Sequence, residues 1–226
     1  MSKVSEEWRC IPRNVDLALD DVVLKGELRI PRGAQAIVLF IHGSGSSRNS
    51  PRNKLVASVL NKASLATLLF DLLTSEEESL DFETGQLRFD IGLLARRVLS
   101  ATKWLSEHAE TLDMKIGYFG ASTGAAAALV AANQLQNLID AVVCRGGRPD
   151  LAEAALKQVS APTLLIVGAQ DKLILQLNSQ ALELLPGKKQ LAVVPGASHL
   201  FEEPGTIEIV ANLASEWFNK YLLKPQ

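Results

Sequence analysis

The chain has 226 residues, a length that fits one α/β domain and leaves little room for a second. Apolar residues make up 47% of it, and its formal net charge is −2. This composition is typical of a soluble globular protein with a sizeable core. It gives no reason to expect nucleic acid or an anionic membrane as a partner.

The first fourteen residues, MSKVSEEWRCIPRN, are polar and contain no apolar core, so they predict no secretory signal. No apolar run is long enough to span a bilayer. The two cysteines are Cys10 and Cys144. Without an export signal they indicate reduced thiols in a cytoplasmic protein, and Cys144 is expected to be a small core residue.

The N-terminal part of the chain predicts two antiparallel strands. Residues 15–19 alternate apolar and polar side chains, Asp20 and Asp21 suit a turn, and residues 22–30 form a second strand that stops at Pro31.

After this pair, short apolar runs alternate with amphipathic segments, which is the pattern of a parallel sheet with crossover helices. The runs are residues 36–41, 66–70, 115–119, 141–144, 162–168 and 190–194. The amphipathic segments are residues 52–62, 90–108, 125–135, 151–157, 173–185 and 206–222. The sequence therefore predicts one α/β domain over residues 1–226, with eight mostly parallel strands and helices on both faces of the sheet.

One acidic stretch, residues 72–88, lacks periodicity and is expected to be a loop. Loops of this length are often functional, but runs of charge more often face solvent. Since the segment between Cys144 and Ala161 is too short for an inserted helical cap, any lid has to come from residues 72–88 or from a partner chain.

The central motif is G-x-S-x-G at residues 120–124, preceded by the apolar run KIGYF and followed by an alanine-rich helix. In such an elbow the nucleophile occupies a strained strand-to-helix turn, and glycines two residues away on either side avoid a collision. We therefore predict that Ser122 is a catalytic nucleophile. Five residues can match by chance, so the context decides.

Asp171 follows the apolar run PTLLIVG, at the end of a strand where sites form in open α/β sheets. We predict that it orients a catalytic imidazole. One alternative is that Asp171 only caps the helix that follows it. Another is that the acid is Asp71, which directly follows the 66–70 strand.

His199 follows the last predicted strand and completes the order Ser, Asp, His. The chain has two other histidines. His108 ends a helix, and His42 belongs to a glycine-rich loop that it is expected to brace. We therefore predict that His199 is the general base.

That glycine-rich loop reads HGSGSSR and follows the 36–41 strand. We predict an oxyanion hole built from the N–H groups of Thr123 and Ser44, with Gly45 as the second choice to Ser44. The alternative is a flexible turn without a catalytic role.

Several arginines follow strands at the same end of the sheet. Arg145, Arg148 and Arg48 are predicted to contact an anionic group of the substrate, and Arg52, close to Arg48 in sequence, is a further candidate for this contact. Salt bridges that hold loops are the alternative.

The chain resembles the dienelactone hydrolase-like branch of the α/β-hydrolase superfamily, from HGSGS through GASTG and GAQD to GASHLFEEPG. The resemblance implies the α/β-hydrolase fold without a large cap domain, and a triad of Ser122, Asp171 and His199. Dienelactone hydrolase itself has a cysteine in the elbow and a glutamate after the third strand, which this chain lacks. A general esterase-like activity is therefore favoured.

We expect hydrolysis of a small soluble ester, lactone or thioester through an acyl-enzyme. No metal or organic cofactor is expected, since no metal-ligand spacing occurs in the sequence. The partner is a small-molecule substrate, not nucleic acid or a membrane. Acyl transfer to another acceptor, peptidase activity, or a non-catalytic receptor on the same scaffold are the alternatives.

Overall fold

A computed structural model describes residues 11–19 and 22–223. Its eight strands form one sheet in the order β1-β2-β4-β3-β5-β6-β7-β8. The turn predicted at Asp20 and Asp21, and Cys10, lie outside the described residues. The prediction of a mostly parallel eight-stranded sheet is confirmed.

The antiparallel edge consists of β1 (Arg13–Ala18) and β2 (Val23–Arg29), and β2 also pairs antiparallel with β4. Side chains alternate along this pair. Leu17, Leu24 and Leu28 are buried against the core, while their neighbours face outward. One face of this edge is thus covered, as the alternating pattern predicts.

The remaining strands are parallel to one another. They are β3 (Ala36–Ile41), β4 (Ala66–Phe70), β5 (Lys115–Ala121), β6 (Ile139–Arg145), β7 (Thr163–Gly168) and β8 (Lys189–Val194). Every residue of β3, β4 and β7 is buried. Strands covered on both faces favour apolar side chains at almost every position, which explains their nearly continuous apolar runs.

Helices cover both faces of the sheet. They are α1 (Pro51–Lys62), α2 (Ser75–Thr84), α3 (Ile91–Glu107), α4 (Thr123–Gln134), α5 (Lys172–Leu184) and α6 (Thr206–Leu222). Residues of α3, α4 and α5 belong to one apolar cluster, and residues of α1 and α6 to a second cluster on the other face. The carboxyl ends of the parallel strands therefore open between the two helical layers, at one edge.

The acidic stretch 72–88 is not a loop, so that prediction was wrong. It contains α2 and a 3₁₀ turn, Leu87–Phe89. Thr74 and Glu77 form a capping box at the start of α2, and Gly85, with a φ of 65°, ends it in a left-handed conformation. Asp81 is the only buried residue of this helix, so its sequence has no apolar periodicity that would predict a helix. Its end caps contribute to its stability instead.

The short segment expected to be helical at residues 151–157 is a 3₁₀ stretch, Pro149–Gln158, interrupted at Glu153, which has a φ of 48°. The chain between β6 and β7 therefore holds no inserted cap. None of the helices in the described ranges is long and apolar enough to cross a membrane.

Candidate active site

Ser122 occupies the turn between β5 and α4, with a φ of 51° and a ψ of −121°. A non-glycine residue in this region is strained, and such strain is typical of functional turns. Two backbone hydrogen bonds tie this turn to the end of β6 and the chain after it: Ser122 N–H donates to the carbonyl of Arg145, and the Ser122 carbonyl accepts from Arg148 N–H. The nucleophile position is therefore fixed from both sides.

Gly124 allows the helix after Ser122 to approach the preceding strand. A Cβ at this position would lie 2.3 Å from the carbonyl oxygen of His42 and 2.4 Å from that of Ile41. Both contacts are to backbone atoms, which have little room to move. The second glycine of the motif is therefore required by the approach of α4 to the end of β3.

His199 and Asp171 form a hydrogen bond of 2.6 Å between Nδ1 and Oδ2. Asp171 follows β7, and its Oδ1 also caps α5 by accepting from Ile174 N–H at 3.4 Å. The catalytic and capping interpretations of Asp171 are therefore compatible, since each uses a different oxygen. The bond leaves Nε2 of His199 available for a proton.

Ser122 and His199 line the same cavity. In the described part of the chain, no hydrogen bond joins Ser122 Oγ to the imidazole. Such bonds are often long without substrate and shorten when it binds.

Asp71 has a different partner. Its Oδ1 accepts from the backbone N–H of Arg48 at 2.8 Å, and its Oδ2 pairs with the Arg48 guanidinium. Both oxygens are thus used in a bond to the loop after β3. The structure gives Asp71 a role in holding this loop.

The two residues predicted to form the oxyanion hole contact each other. Ser44 N–H donates to Thr123 Oγ1 at 3.0 Å. The backbone N–H of Thr123 is the first of α4 and therefore has no acceptor within the helix. The Thr123 N–H is available for an oxyanion, whereas the Ser44 N–H has to leave the threonine hydroxyl first.

His42 is buried and braces the loop, as expected. Its Nε2 accepts from Leu72 N–H at 3.0 Å, so Nδ1 carries the proton and donates to the carbonyl of Gly43 at 2.9 Å. Burial lowers the pKa of His42 below its ordinary value, and this favours the neutral ring that both bonds need.

The cavity above Ser122 has a volume of about 900 Å³. Residues 72–88 form part of its wall, including Leu72, Leu73 and Phe82. Phe82 is 86% exposed. The acidic stretch thus forms one wall of the cavity, and the cavity is open to solvent.

The three predicted arginines differ in their surroundings. Arg145 lines the cavity and is only 8% exposed. Arg48 is paired with Asp71, and the guanidinium of Arg148 is held by Asp150 at 2.7 Å. Arg52, the further candidate, also lines the cavity and lies in the first turn of α1, which is capped by Ser50 and begins at Pro51.

Cys144 is free and fully buried in β6, and burial raises the pKa of its thiol to about 12. A buried thiol with such a pKa carries no thiolate near neutral pH. Ser122, and not this cysteine, is the nucleophile candidate in the described site.

The sequence profile of the dienelactone hydrolase family matches residues 34–222, which is most of the chain. The chain belongs to the dienelactone hydrolase family. A dienelactone hydrolase from Anabaena variabilis, known from a crystal structure, has 59% sequence identity to this family member. The alignment covers 93% of this chain and 99% of that one, with a TM-score of 0.91.

Two further comparisons place this dienelactone hydrolase family member among its relatives. Est1E from Butyrivibrio proteoclasticus shares the fold, with 15% identity, a TM-score of 0.79, and coverage of 93% and 99% of the two chains. A Mycobacterium tuberculosis protein, provisionally named a phosphoribosyl transferase, is 54% identical over 211 residues. This alignment covers 93% of the present chain and 47% of that protein, so the chain spans about half the length of this curated relative.

Proposed function

We propose that the chain is a serine hydrolase that cleaves a small ester, lactone or thioester through an acyl-enzyme. One observation carries the proposal: the strained Ser122 turn shares a cavity with His199, whose Nδ1 lies 2.6 Å from Asp171 Oδ2. A nucleophile, a base and a group that orients the base are the parts that acyl transfer requires. Membership of a hydrolase family agrees with this chemistry.

In the first half-reaction, His199 Nε2 accepts the proton of Ser122 Oγ while Oγ bonds to the substrate carbonyl carbon. The bond from this carbon to the leaving alcohol or thiol then breaks, and His199 returns the proton to the leaving group. In the second half-reaction, His199 takes a proton from water while the water oxygen bonds to the acyl carbon. The bond from this carbon to Ser122 Oγ then breaks, the acid is released, and His199 returns the proton to Oγ. Asp171 holds the imidazole in the tautomer that these steps need.

The oxyanion formed in each half-reaction is proposed to bind the N–H groups of Thr123 and Ser44. The Thr123 N–H has no helical acceptor. The Ser44 N–H now donates to Thr123 Oγ1 and would exchange this neutral acceptor for the charged oxygen. Hydrogen bonds to a charged acceptor are roughly twice as strong as neutral ones, so the exchange is favourable in the transition state.

The cavity supports a substrate of modest size. Its volume is about 900 Å³, and Leu72, Leu73, Leu94 and Leu200 provide apolar contact. We propose that this wall packs against the hydrocarbon part of the substrate. We also propose that the reaction takes place in the cytoplasm, which agrees with the free thiol of Cys144.

The name of the mycobacterial relative provides a second candidate, phosphoribosyl transfer. We favour hydrolysis because this chain, which matches about half of the relative, brings Ser122, His199 and Asp171 together in one site. The relative is about twice as long, and its name describes the whole protein.

Pre-steady-state hydrolysis of p-nitrophenyl butyrate tests the proposed acyl-enzyme. We expect a burst of p-nitrophenol approaching one equivalent per chain, because acylation of Ser122 by this activated ester is expected to be faster than release of butyrate by water. Added hydroxylamine should trap the acyl group as the hydroxamate. A panel of lactones and thioesters then ranks the substrates. Absence of ester turnover, with consumption of phosphoribosyl diphosphate instead, would contradict the proposal in favour of the second candidate.

A further inference from the structure

The N-terminus of α1 opens into the cavity above Ser122. Ser50, Pro51 and Arg52, the N-cap and first two residues of this 12-residue helix, all line the cavity. Ser50 Oγ accepts the N–H of Asn53 at 3.4 Å, and Pro51 has no N–H. In the first turn of α1, the backbone N–H of Arg52 therefore has no acceptor within the helix, and it lies at the positive end of the helix dipole.

A second observation comes from Arg145, at the end of β6. Its side chain is 8% exposed and lines the same cavity. Its Nε is buried without a hydrogen-bond partner, and within residues 11–19 and 22–223 no carboxylate or carbonyl pairs with the guanidinium. The guanidinium carbon lies 5.9 Å from the centre of the Phe201 ring. A buried cation without a counter-charge is costly, and an anionic ligand would relieve that cost.

Arg52 adds a second guanidinium to this wall. It pairs with Glu202 at 3.1 Å, but the Glu202 side chain is 65% exposed. The Arg52 Nε is buried and has no partner. Burial, and to a lesser extent the nearby charge of Arg52, lower the pKa of the Arg145 guanidinium.

We propose that Arg145, Arg52 and the N-terminus of α1 form a subsite for a phosphate group, and that the ester substrate carries a phosphate monoester. This inference rests on the proposed hydrolysis at Ser122. Two guanidiniums and a helix N-terminus match the double negative charge and the several acceptor oxygens of phosphate better than those of one carboxylate.

The subsite also fixes where the scissile bond lies. Arg145 pairs with Ala121 in the sheet, and its carbonyl accepts the N–H of Ser122. The following residue, Gly146, lies beside the His199 ring. Because Arg145 lines the same cavity as Ser122 and His199, a phosphate held there places the rest of the substrate near both the nucleophile and the base, which lowers the cost of positioning.

Three acetate esters of similar size test the proposal in a pH-stat: 2-acetoxyethyl phosphate, 3-acetoxypropanoate and neutral 2-methoxyethyl acetate. We expect kcat/KM for the phosphate ester to exceed that for the neutral ester by at least about tenfold, with the carboxylate between them. Equal values for all three esters, or the highest value for the carboxylate, would overturn the phosphate assignment.

The variants Arg145→Met and Arg52→Met should each reduce the ratio of phosphate to neutral ester toward one. Circular dichroism confirms that each variant is folded, and Arg52→Met carries the test if Arg145→Met is not. Arg148→Met is the matched control, because the Arg148 guanidinium is held by Asp150 and does not line the cavity. A similar loss in Arg148→Met would contradict the subsite.

Binding to the Ser122→Ala variant separates this inference from the proposed function. Calorimetry should detect 2-acetoxyethyl phosphate, and binding should weaken at least about tenfold when Arg145→Met is added. Binding without turnover by the unmodified chain would refute hydrolysis and leave the subsite standing. Turnover without any preference for phosphate, even if inorganic phosphate binds, would refute the subsite and leave hydrolysis standing.

Discussion

The Asp171→Asn variant is expected to lose about four orders of magnitude in kcat for p-nitrophenyl butyrate. The carboxylate accepts the proton on His199 Nδ1, at a separation of 2.6 Å. An amide can donate to Nδ1 instead, and this stabilises the tautomer with the proton on Nε2. That tautomer has no lone pair for the proton of Ser122. Stopped assays with wild-type and variant enzyme at equal concentration measure the loss.

Asparagine keeps the second function of this residue, because it caps helices as well as aspartate does. The thermal midpoint should therefore change little, and lost activity cannot be attributed to unfolding. Asp71→Asn is the matched control, since Asp71 pairs with Arg48 and not with His199. We expect less than about a tenfold effect from it. A larger loss in Asp71→Asn than in Asp171→Asn would show that the acid is Asp71.

The Gly124→Ala variant is expected to lower the free energy of unfolding by about 3 kcal/mol. In most helices this change gains stability, because alanine is the better helix former. Here the new Cβ would lie 2.3 Å from a backbone oxygen of His42, so α4 or the loop after β3 has to shift. For a chain of this size the thermal midpoint should fall by roughly 6–12 °C.

Gly33→Ala separates this steric effect from the general effect of adding a methyl group. Gly33 has a φ of 76°, and a Cβ there would meet no atom within 4 Å. Its replacement should cost about 1 kcal/mol through backbone strain alone. A midpoint for Gly124→Ala at or above that of Gly33→Ala would contradict the close approach of α4 to β3.

The sheet was predictable because the alternating pattern of its antiparallel edge and the apolar runs of its parallel strands are both local in the sequence. The apolar runs of β3 and β4 match the observed strands residue for residue, since strands covered on both faces admit almost no polar side chain. Helix α2 could not be found in this way. Its stability depends on the Thr74–Glu77 capping box and on ion pairs such as Glu77 with Arg97, which lies 20 residues away in sequence.

The candidate triad was predictable from the order of Ser122, Asp171 and His199 along the chain, because the ends of parallel strands meet at one edge. The ion-pair partners of the charged side chains could not be predicted from the sequence. Whether an arginine lines the cavity or closes on a carboxylate depends on tertiary contacts, such as Arg148 with Asp150 or Arg48 with Asp71. For the same reason, the hydrogen bond from Ser44 N–H to the Thr123 hydroxyl could not be predicted from the sequence.

Labelling with a fluorophosphonate probe, followed by peptide mapping, tests the assignment of the nucleophile most directly. We predict one adduct, on Ser122, that disappears in Ser122→Ala. The adduct should remain in Ser47→Ala, which removes a serine lining the same cavity whose hydroxyl only accepts the N–H of Asn49. An adduct on another residue, or equal labelling of Ser122→Ala, would contradict the account.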